Sequence, residues 1–299
     1  MGRQEQTNHL FSNRDLRILL VPLIVEQILN SLMGTADSIM VSNVGSAAIS
    51  AVSLVDSINI LVIQAFYALA AGGTIVCSQY IGQKDKKNAE ESARQLSFVV
   101  ACISSAVMAV CLLTRGPLLR LIFGSVEADV MEAAQTYFFY TALSFPFIAL
   151  YDAGSSIYRA QGNTRLPMTI AVVSNGLNIA GNAVLIWGFH LGVAGAAIAT
   201  CLGYCVPSIV GLVYFTKNRT GSLYFVPFKF DGATLAAACG NGSSEMVSNI
   251  ANAITTFVFN TLFMRYRGED GVAAITIAMY FQFVFTAVYF GFSMGVAPV

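Results

Sequence analysis

The first long apolar run, from Leu16 to Val44, limits what this chain can fold into more than any other feature. It is long enough to cross a bilayer as one helix, which takes about 20 residues. Asp37 lies about two-thirds of the way along the run. A carboxylate at that depth of a membrane costs about 2.5–3.5 kcal/mol. We therefore expect Asp37 to face protein or a water-filled cavity, and it is the first candidate functional residue.

The composition is that of a membrane protein. Of the 299 residues, 56% are hydrophobic and 11% are charged, and the mean hydropathy is +0.67. Soluble domains contain about 25% charged residues. The net charge is zero, so the chain has no excess of basic residues that would favour nucleic acid. Residues 1–17 are polar and predict no signal peptide. These properties predict an all-α, polytopic membrane protein.

Eight apolar stretches have the length of membrane-spanning helices. None shows the alternation over about ten residues that is typical of barrel strands. The predicted spans are 16–43, 50–77, 95–114, 134–158, 168–190, 193–216, 233–263 and 271–298. The polar stretches at 79–95 and 114–133 are interpreted as the loops on either side of the third span.

The Lys and Arg residues predict the orientation. With the N-terminus inside, twelve of them fall in cytoplasmic loops and four in outside loops. Arg159 and Arg165 are interpreted as two of these cytoplasmic loop charges. An excess of Lys and Arg marks the cytoplasmic side, so we expect a cytoplasmic N-terminus.

Sequence motifs of several other functional classes are missing. The six cysteines lie in apolar runs without a CxxC pair, and neither of the two histidines has metal-ligand spacing to them. There is no Walker motif, GxGxxG, HExxH or DDxxD. We therefore expect no enzyme, no ATP-driven pump and no cofactor.

An internal repeat relates the two ends of the chain. At an offset of 223 residues, 35–54 lies over 258–277, and Asp37 falls on Asn260. Repeated halves around a midplane site are the usual architecture of secondary transporters. A second six-helix half is thus predicted to begin at the seventh span. We expect a six-helix N-lobe at 1–216, a cytoplasmic linker at 217–232 and the first two helices of a C-terminally truncated second lobe at 233–299.

Four motifs in order resemble one transporter family. They are Pro22 with TADSIMVSNVG in the first span, SQYIGQKDKKNAEES after the second, RAQGNTRLPM after the fourth, and NIAGNAVLIWGFHLGVAGAAIAT across the fifth and sixth. Over essentially its whole length the chain resembles the multidrug and toxic compound extrusion (MATE) transporters, in their MepA-like bacterial branch. The resemblance implies a monomeric H⁺- or Na⁺-coupled antiporter in the bacterial plasma membrane. It would export cationic, amphipathic drugs by alternating access between two six-helix lobes.

Polar residues of the fifth and sixth spans form a candidate cation site with Asp37. Asn178 and Asn182 are i,i+4 neighbours on one helix face, with Asn175 one turn earlier. Thr200 lies among small residues (Gly195, Ala199, Gly203) whose spacing favours close helix packing. The resemblance implies that Asp37, Asn178, Asn182 and Thr200 are the cation ligands. Some family members have Asp where this chain has Asn182.

With one carboxylate in this candidate site, both H⁺ and Na⁺ remain open as the coupling ion. Protonation or Na⁺ binding at Asp37 would change the packing of the first, fifth and sixth helices. The alternative is that the asparagines only join the helices by hydrogen bonds.

A second coupling or substrate site is a further expectation. Glu26 would pair with a polar partner or line the inward opening, and Glu245 in the seventh span lies near Asn249. Asp56 and Asp152 lie near span ends and are interpreted as solvated. Side chains that could line a cleft for flat aromatic cations are Gln64, Phe66, Tyr67, Tyr137, Tyr140, Phe145, Phe147 and Tyr151.

Two other functions stay open. A lipid or lipid-linked precursor flippase of the same superfamily would share the helix count, but it should have a basic cleft. A fragment of such a transporter could also be inactive.

Overall fold

Six long helices make up the continuous parts of this chain in a computed structural model, which describes residues 13–123, 127–217 and scattered positions between 232 and 289. They are α1 (Asn13–Ser42), α2 (Ser46–Gly82), α3 (Lys86–Phe123), α4 (Ala128–Ala160), α5 (Arg165–Asn182) and α6 (Gly192–Lys217). A π-helical turn, Ala183–Gly188, extends α5. Of the described helices, four are long and apolar enough to cross a membrane, namely α2, α3, α5 with its π turn, and α6. The all-α membrane class is confirmed.

The helices are longer than the predicted spans, and the two predicted loops beside the third span are wrong. Only three residues separate α2 from α3, and α3 continues to Phe123. Asp85 caps α3, because its Oδ1 accepts the backbone N–H of Asn88 at 3.2 Å. Glu90 pairs with Arg94 one turn along at 3.2 Å. Such local pairs stabilise polar helical turns, so the helix persists where the apolar run has ended.

The seventh and eighth predicted spans, 233–263 and 271–298, lie outside the continuous described ranges. The division into lobes and the count of eight spans therefore stay predictions.

The helices pack in two connected groups. α4 packs against α2, α3 and α6, whereas α1 packs chiefly against α5, and α5 also packs against α6. Phe138 and Phe145 of α4 are fully buried in the core beside Val55 of α2. The second group brings α1, α5 and α6 together, and these three helices carry the candidate cation ligands.

The predicted close packing of α6 through small residues is confirmed. A Cβ at Gly203 would lie 3.3 Å from both the Cβ of Asn178 and the carbonyl oxygen of Ser174. The Ser174 hydroxyl donates a hydrogen bond to the Gly203 carbonyl. A Cβ at Gly181 of α5 would lie 3.1 Å from the Cβ of Ala199. This close approach places Thr200 beside the asparagine face of α5.

Gly195→Ala is expected to destabilise the protein by about 1–3 kcal/mol, as overpacking does. The added methyl would lie 3.0 Å from the backbone carbonyl carbon of Leu185 in the π turn. A backbone atom cannot move aside by a side-chain rotation. Thermal unfolding in detergent measures the effect. Gly211→Ala is the matched control on α6, because a Cβ there meets nothing within 4 Å. Equal unfolding temperatures for the two variants would contradict the prediction.

Candidate functional site

Three helices converge on one buried polar cluster. Asn178 and Asn182 lie one turn apart on α5 and are fully buried, as the i,i+4 spacing predicts. α1 contributes Asp37, which is 8% exposed. α6 contributes the half-buried Thr200. We call these four residues the Asp37 cluster.

The Asp37 carboxylate accepts hydrogen bonds from all three partners. Its Oδ1 accepts from the amide nitrogen of Asn182. Its Oδ2 accepts from Asn178 Nδ2 at 3.5 Å and from Thr200 Oγ1 at 3.2 Å. The Thr200 hydroxyl has a single proton, which it can instead donate to the Ala196 carbonyl at 3.1 Å. A charged acceptor makes such bonds stronger than neutral ones, so Asp37 ties α1 to both α5 and α6.

The asparagines are also joined to each other. Asn182 Nδ2 donates to Asn178 Oδ1 at 3.3 Å, and Asn178 Nδ2 donates to Thr200 Oγ1 at 3.3 Å. In the described part of the chain, the buried Oδ1 of Asn182 has no hydrogen-bond partner. A buried acceptor of this kind calls for a donor, a water or a cation. The cluster therefore combines one carboxylate with an oxygen that has capacity for a ligand.

The π-helical turn starts directly after Asn182, and the sequence analysis did not predict it. Turns of this type occur mostly as single insertions in α-helices, often at functional sites. It is followed by two residues with positive φ, His190 at 55° and Gly192 at 55°. The glycines at 188 and 192 were a weak signal that regular helix ends here.

Asn175 has a different environment. It is buried, and its Nδ2 donates to the Ala171 carbonyl at 2.9 Å, one turn back on its own helix. The described hydrogen bonds do not join it to the Asp37 cluster, so its role in cation coupling stays a prediction.

The structure places Glu26 in a buried ion pair. Glu26 Oε1 lies 3.1 Å from Arg159 Nη1, and the two residues are 1% and 5% exposed. Arg159 also donates to Ser156 Oγ at 3.3 Å. The placement of Arg159 in a cytoplasmic loop is therefore wrong, because it belongs to the last turn of α4. Sequence reasoning missed this contact because Arg159 comes directly after the predicted end of the fourth span. Its partner also lies 133 positions earlier in the chain.

The expectation that Asp56 and Asp152 are solvated is also wrong. Both are half-buried. Asp56 Oδ1 accepts from Tyr137 Oη at 3.3 Å and from Asn59 Nδ2 at 3.4 Å. Asp152 Oδ2 is a buried atom without a hydrogen-bond partner in the described ranges.

Half of the side chains that were predicted to line a cleft for aromatic cations are core residues. Phe66, Tyr137, Phe145 and Tyr151 are at most 7% exposed. The rings of Phe66 and Phe145 meet edge to face at 6.0 Å. Tyr140 is half-buried and meets Phe139 at 5.3 Å, whereas Gln64 is exposed. Glu245 and Asn249 lie outside the described residues.

Comparisons with known proteins agree with this architecture. The "Uncharacterized transporter YisQ" of Bacillus subtilis (strain 168) is 33% identical over 218 residues, which are 72% of this chain and 46% of that protein. The "Multidrug export protein MepA" of Staphylococcus haemolyticus (strain JCSC1435) is 25% identical over 93% of this chain and 61% of its own length. A solved structure described as "Crystal structure of MATE in the straight conformation" has the same fold. Its TM-score is 0.89 at 23% identity, over 94% of this chain and 63% of that one.

The chain spans about half the length of the curated relatives it matches, since YisQ is covered to 46% and MepA to 61%. The family match is continuous across the first five helices, from residue 22 to residue 184. It includes Asp37, Asn178 and Asn182 and amounts to more than half of the sequence. The resemblance inferred from the four motifs is thereby confirmed: this protein belongs to the MatE family.

Proposed function

We propose that this chain forms part of a cation-coupled antiporter that exports cationic, amphipathic drugs, with Asp37 as the coupling residue. The observation that supports it best is the buried Asp37 carboxylate, held by donors from two other helices. Relatives named multidrug export proteins support the substrate class. In the part of the chain that is described, no three His, Cys, Asp or Glu residues group as a metal centre would require.

Neutralising Asp37 would loosen the contact between three helices. Hydrogen bonds to a carboxylate are about twice as strong as those between neutral groups. Cation binding would therefore weaken the hold of Asn178, Asn182 and Thr200 on α1 and let α1 shift against α5 and α6. Rocking of this kind around a fixed site is the usual form of alternating access. Each elementary charge that moves inward down the membrane potential supplies about 2.3 kcal/mol per 100 mV, which would drive the export of drug.

The geometry of the cluster favours a proton over Na⁺. Both asparagines present N–H groups, not oxygens, to Asp37. A proton needs only the carboxylate, whereas hard cations take several oxygen ligands. Na⁺ would require both amides to turn, at the loss of the bonds between Asn182, Asn178 and Thr200.

Right-side-out membrane vesicles that contain the 299-residue chain would test the proposal. A fluorescent lipophilic cation is preloaded, and its movement is followed after a pH jump or, separately, after a Na⁺ jump at constant pH. We expect movement after the pH jump. The single tryptophan, Trp187 in the π turn, gives a second readout, because its emission should change when the Asp37 cluster binds a cation. Neither cation movement nor a Trp187 response to H⁺ or Na⁺ would contradict the proposal.

Asn182→Asp is expected to create a Na⁺ dependence. The variant places a second carboxylate beside Asp37, and two carboxylates with a threonine oxygen suit a hard cation. NaCl should then raise the unfolding temperature of the variant above its value in equimolar choline chloride, with no such difference in the unmodified protein. Asn43→Asp is the matched control, because Asn43 is exposed at the end of α1. A Na⁺ effect equal in both variants would contradict the prediction.

A further inference from the structure

Two cysteines of α6 lie in contact on one side of the helix. Cys201 and Cys205 are separated by about one helical turn, and their sulfur atoms are 3.6 Å apart. Both thiols are free. No other two cysteines of the chain lie within four positions of each other in the sequence. α6 therefore carries a pair of neighbouring thiols, which the Asp37 cluster does not use.

The spacing of this thiol pair does not suit a disulfide. Residues four apart on a helix have Cβ atoms about 5–6 Å apart, whereas a disulfide needs a Cβ separation of about 3.5–4.5 Å. The helix is continuous from Gly192 to Lys217, so a disulfide would have to distort a regular turn. The two sulfurs are instead placed to bind the same third atom, and sulfur ligands select soft, thiophilic atoms.

The distance between the sulfurs indicates the geometry of such an atom. Two sulfurs on one tetrahedral atom with bonds of about 2.3 Å lie about 3.8 Å apart, whereas a linear atom would separate them by about 4.6 Å. The observed 3.6 Å matches the bent arrangement. Zn²⁺ takes at least three protein ligands, and among the described residues no third His, Cys, Asp or Glu groups with the pair. Trivalent arsenic needs only two protein sulfurs, because its three bonds form a pyramid and the third can go to carbon.

The thiol pair borders the outer, apolar face of α6. Both cysteines are half-buried, in a helix segment long and apolar enough to cross a membrane. Leu202 and Ile209 lie three and four residues from Cys205, next to it on the helix surface, and they are 46% and 51% exposed. Residues 192–216 contain no charged side chain. A compound that reaches the pair from this face must therefore be uncharged and apolar.

We propose that Cys201 and Cys205 form a binding site for trivalent organic arsenicals, in which one arsenic atom bridges the two sulfurs and its apolar substituent lies along the outer face of α6. The arsenical reacts as its dihydroxide. Each thiol gives its proton to one hydroxyl, so that two As–O bonds break, two As–S bonds form and two water molecules leave. Arsenic stays trivalent, and no oxidant or reductant is needed. The site goes beyond the proposed function, because neither cysteine belongs to the Asp37 cluster.

Phenylarsine oxide, added to the full chain in detergent and followed by intact-protein mass spectrometry, tests the site. We expect one phenylarsenic group per chain. It should survive an excess of mercaptoethanol but be removed by dimercaptopropanol, because only a dithiol can replace both bonds at once. Cys201→Ser and Cys205→Ser should each weaken binding by about 100-fold or more, since the second attachment is lost. Cys102→Ser is the matched control, because Cys102 is an exposed cysteine of α3.

Two results would overturn the proposal: binding of phenylarsine oxide that Cys201→Ser leaves unchanged, and complete removal by mercaptoethanol in the unmodified protein. Where the serine variants fail to fold, protease digestion of the unmodified protein decides the question. The phenylarsenic group must then lie on the peptide that contains both cysteines, and its presence on another peptide would contradict the site. Asp37→Asn should bind phenylarsine oxide like the unmodified protein, which separates this test from the test of the coupling residue.

Discussion

Asp37→Asn is expected to reduce drug-cation efflux to the level of vesicles that lack the protein. The substitution keeps the size and shape of the side chain, and its amide oxygen can still accept from Thr200 or Asn182. It removes the charge that a proton or Na⁺ would neutralise. The helices should therefore stay together while the coupling step is lost. Efflux of the drug cation from the vesicles after a pH jump measures the result. The amount of each variant in the membrane is determined in the same samples.

The design of this test separates coupling from folding. Asp129→Asn makes the same chemical change at an exposed position and should transport like the unmodified protein. Trp187 should still respond to unfolding in Asp37→Asn but no longer to a change of pH. Efflux retained by Asp37→Asn at normal abundance would exclude Asp37 as the coupling residue.

Much of the site could be predicted because its signals are local. A carboxylate inside an apolar run has few acceptable environments, and asparagines at i,i+4 must share a helix face. Glycines at 195 and 203 indicated where α6 could approach α5 closely. These three signals, together with the resemblance to the MATE family, indicated that Asp37, Asn178, Asn182 and Thr200 would lie together.

The parts that could not be predicted depend on distant contacts. Arg159 was placed in a loop because hydropathy ends near it, and its partner Glu26 lies 133 positions earlier. Asp56 likewise meets Tyr137 across 81 positions. Helix ends beyond the apolar runs were missed for a related reason, since Asp85 and Glu90 extend α3 through capping and pairing that hydropathy does not record. The π turn after Asn182 has no distinct residue pattern.

The second large expected effect is a loss of unfolding free energy when the buried ion pair of Glu26 and Arg159 is broken. Removing one partner of a buried pair leaves the other charge uncompensated, which typically costs about 3–5 kcal/mol. Arg159→Met leaves two carboxyls, Glu26 and Asp152, without a positive charge, so we expect the full cost. Glu26→Gln leaves Arg159 with the negative charge of Asp152, which interacts with it electrostatically. Its cost should be nearer to that of one charged hydrogen bond, about 1.5–3 kcal/mol.

The two variants should therefore differ in size of effect and in pH dependence. The carboxyls left behind in Arg159→Met can take up protons in acid, so its loss of unfolding free energy should shrink as the pH falls. Unfolding in mixed micelles, monitored at Trp187 at two pH values, measures both properties. Arg120→Met is the matched control, because Arg120 is exposed in the last turn of α3. If Arg159→Met cost no more than Glu26→Gln, Arg159 would not compensate the charge of Asp152 as well as that of Glu26, and the prediction would be contradicted.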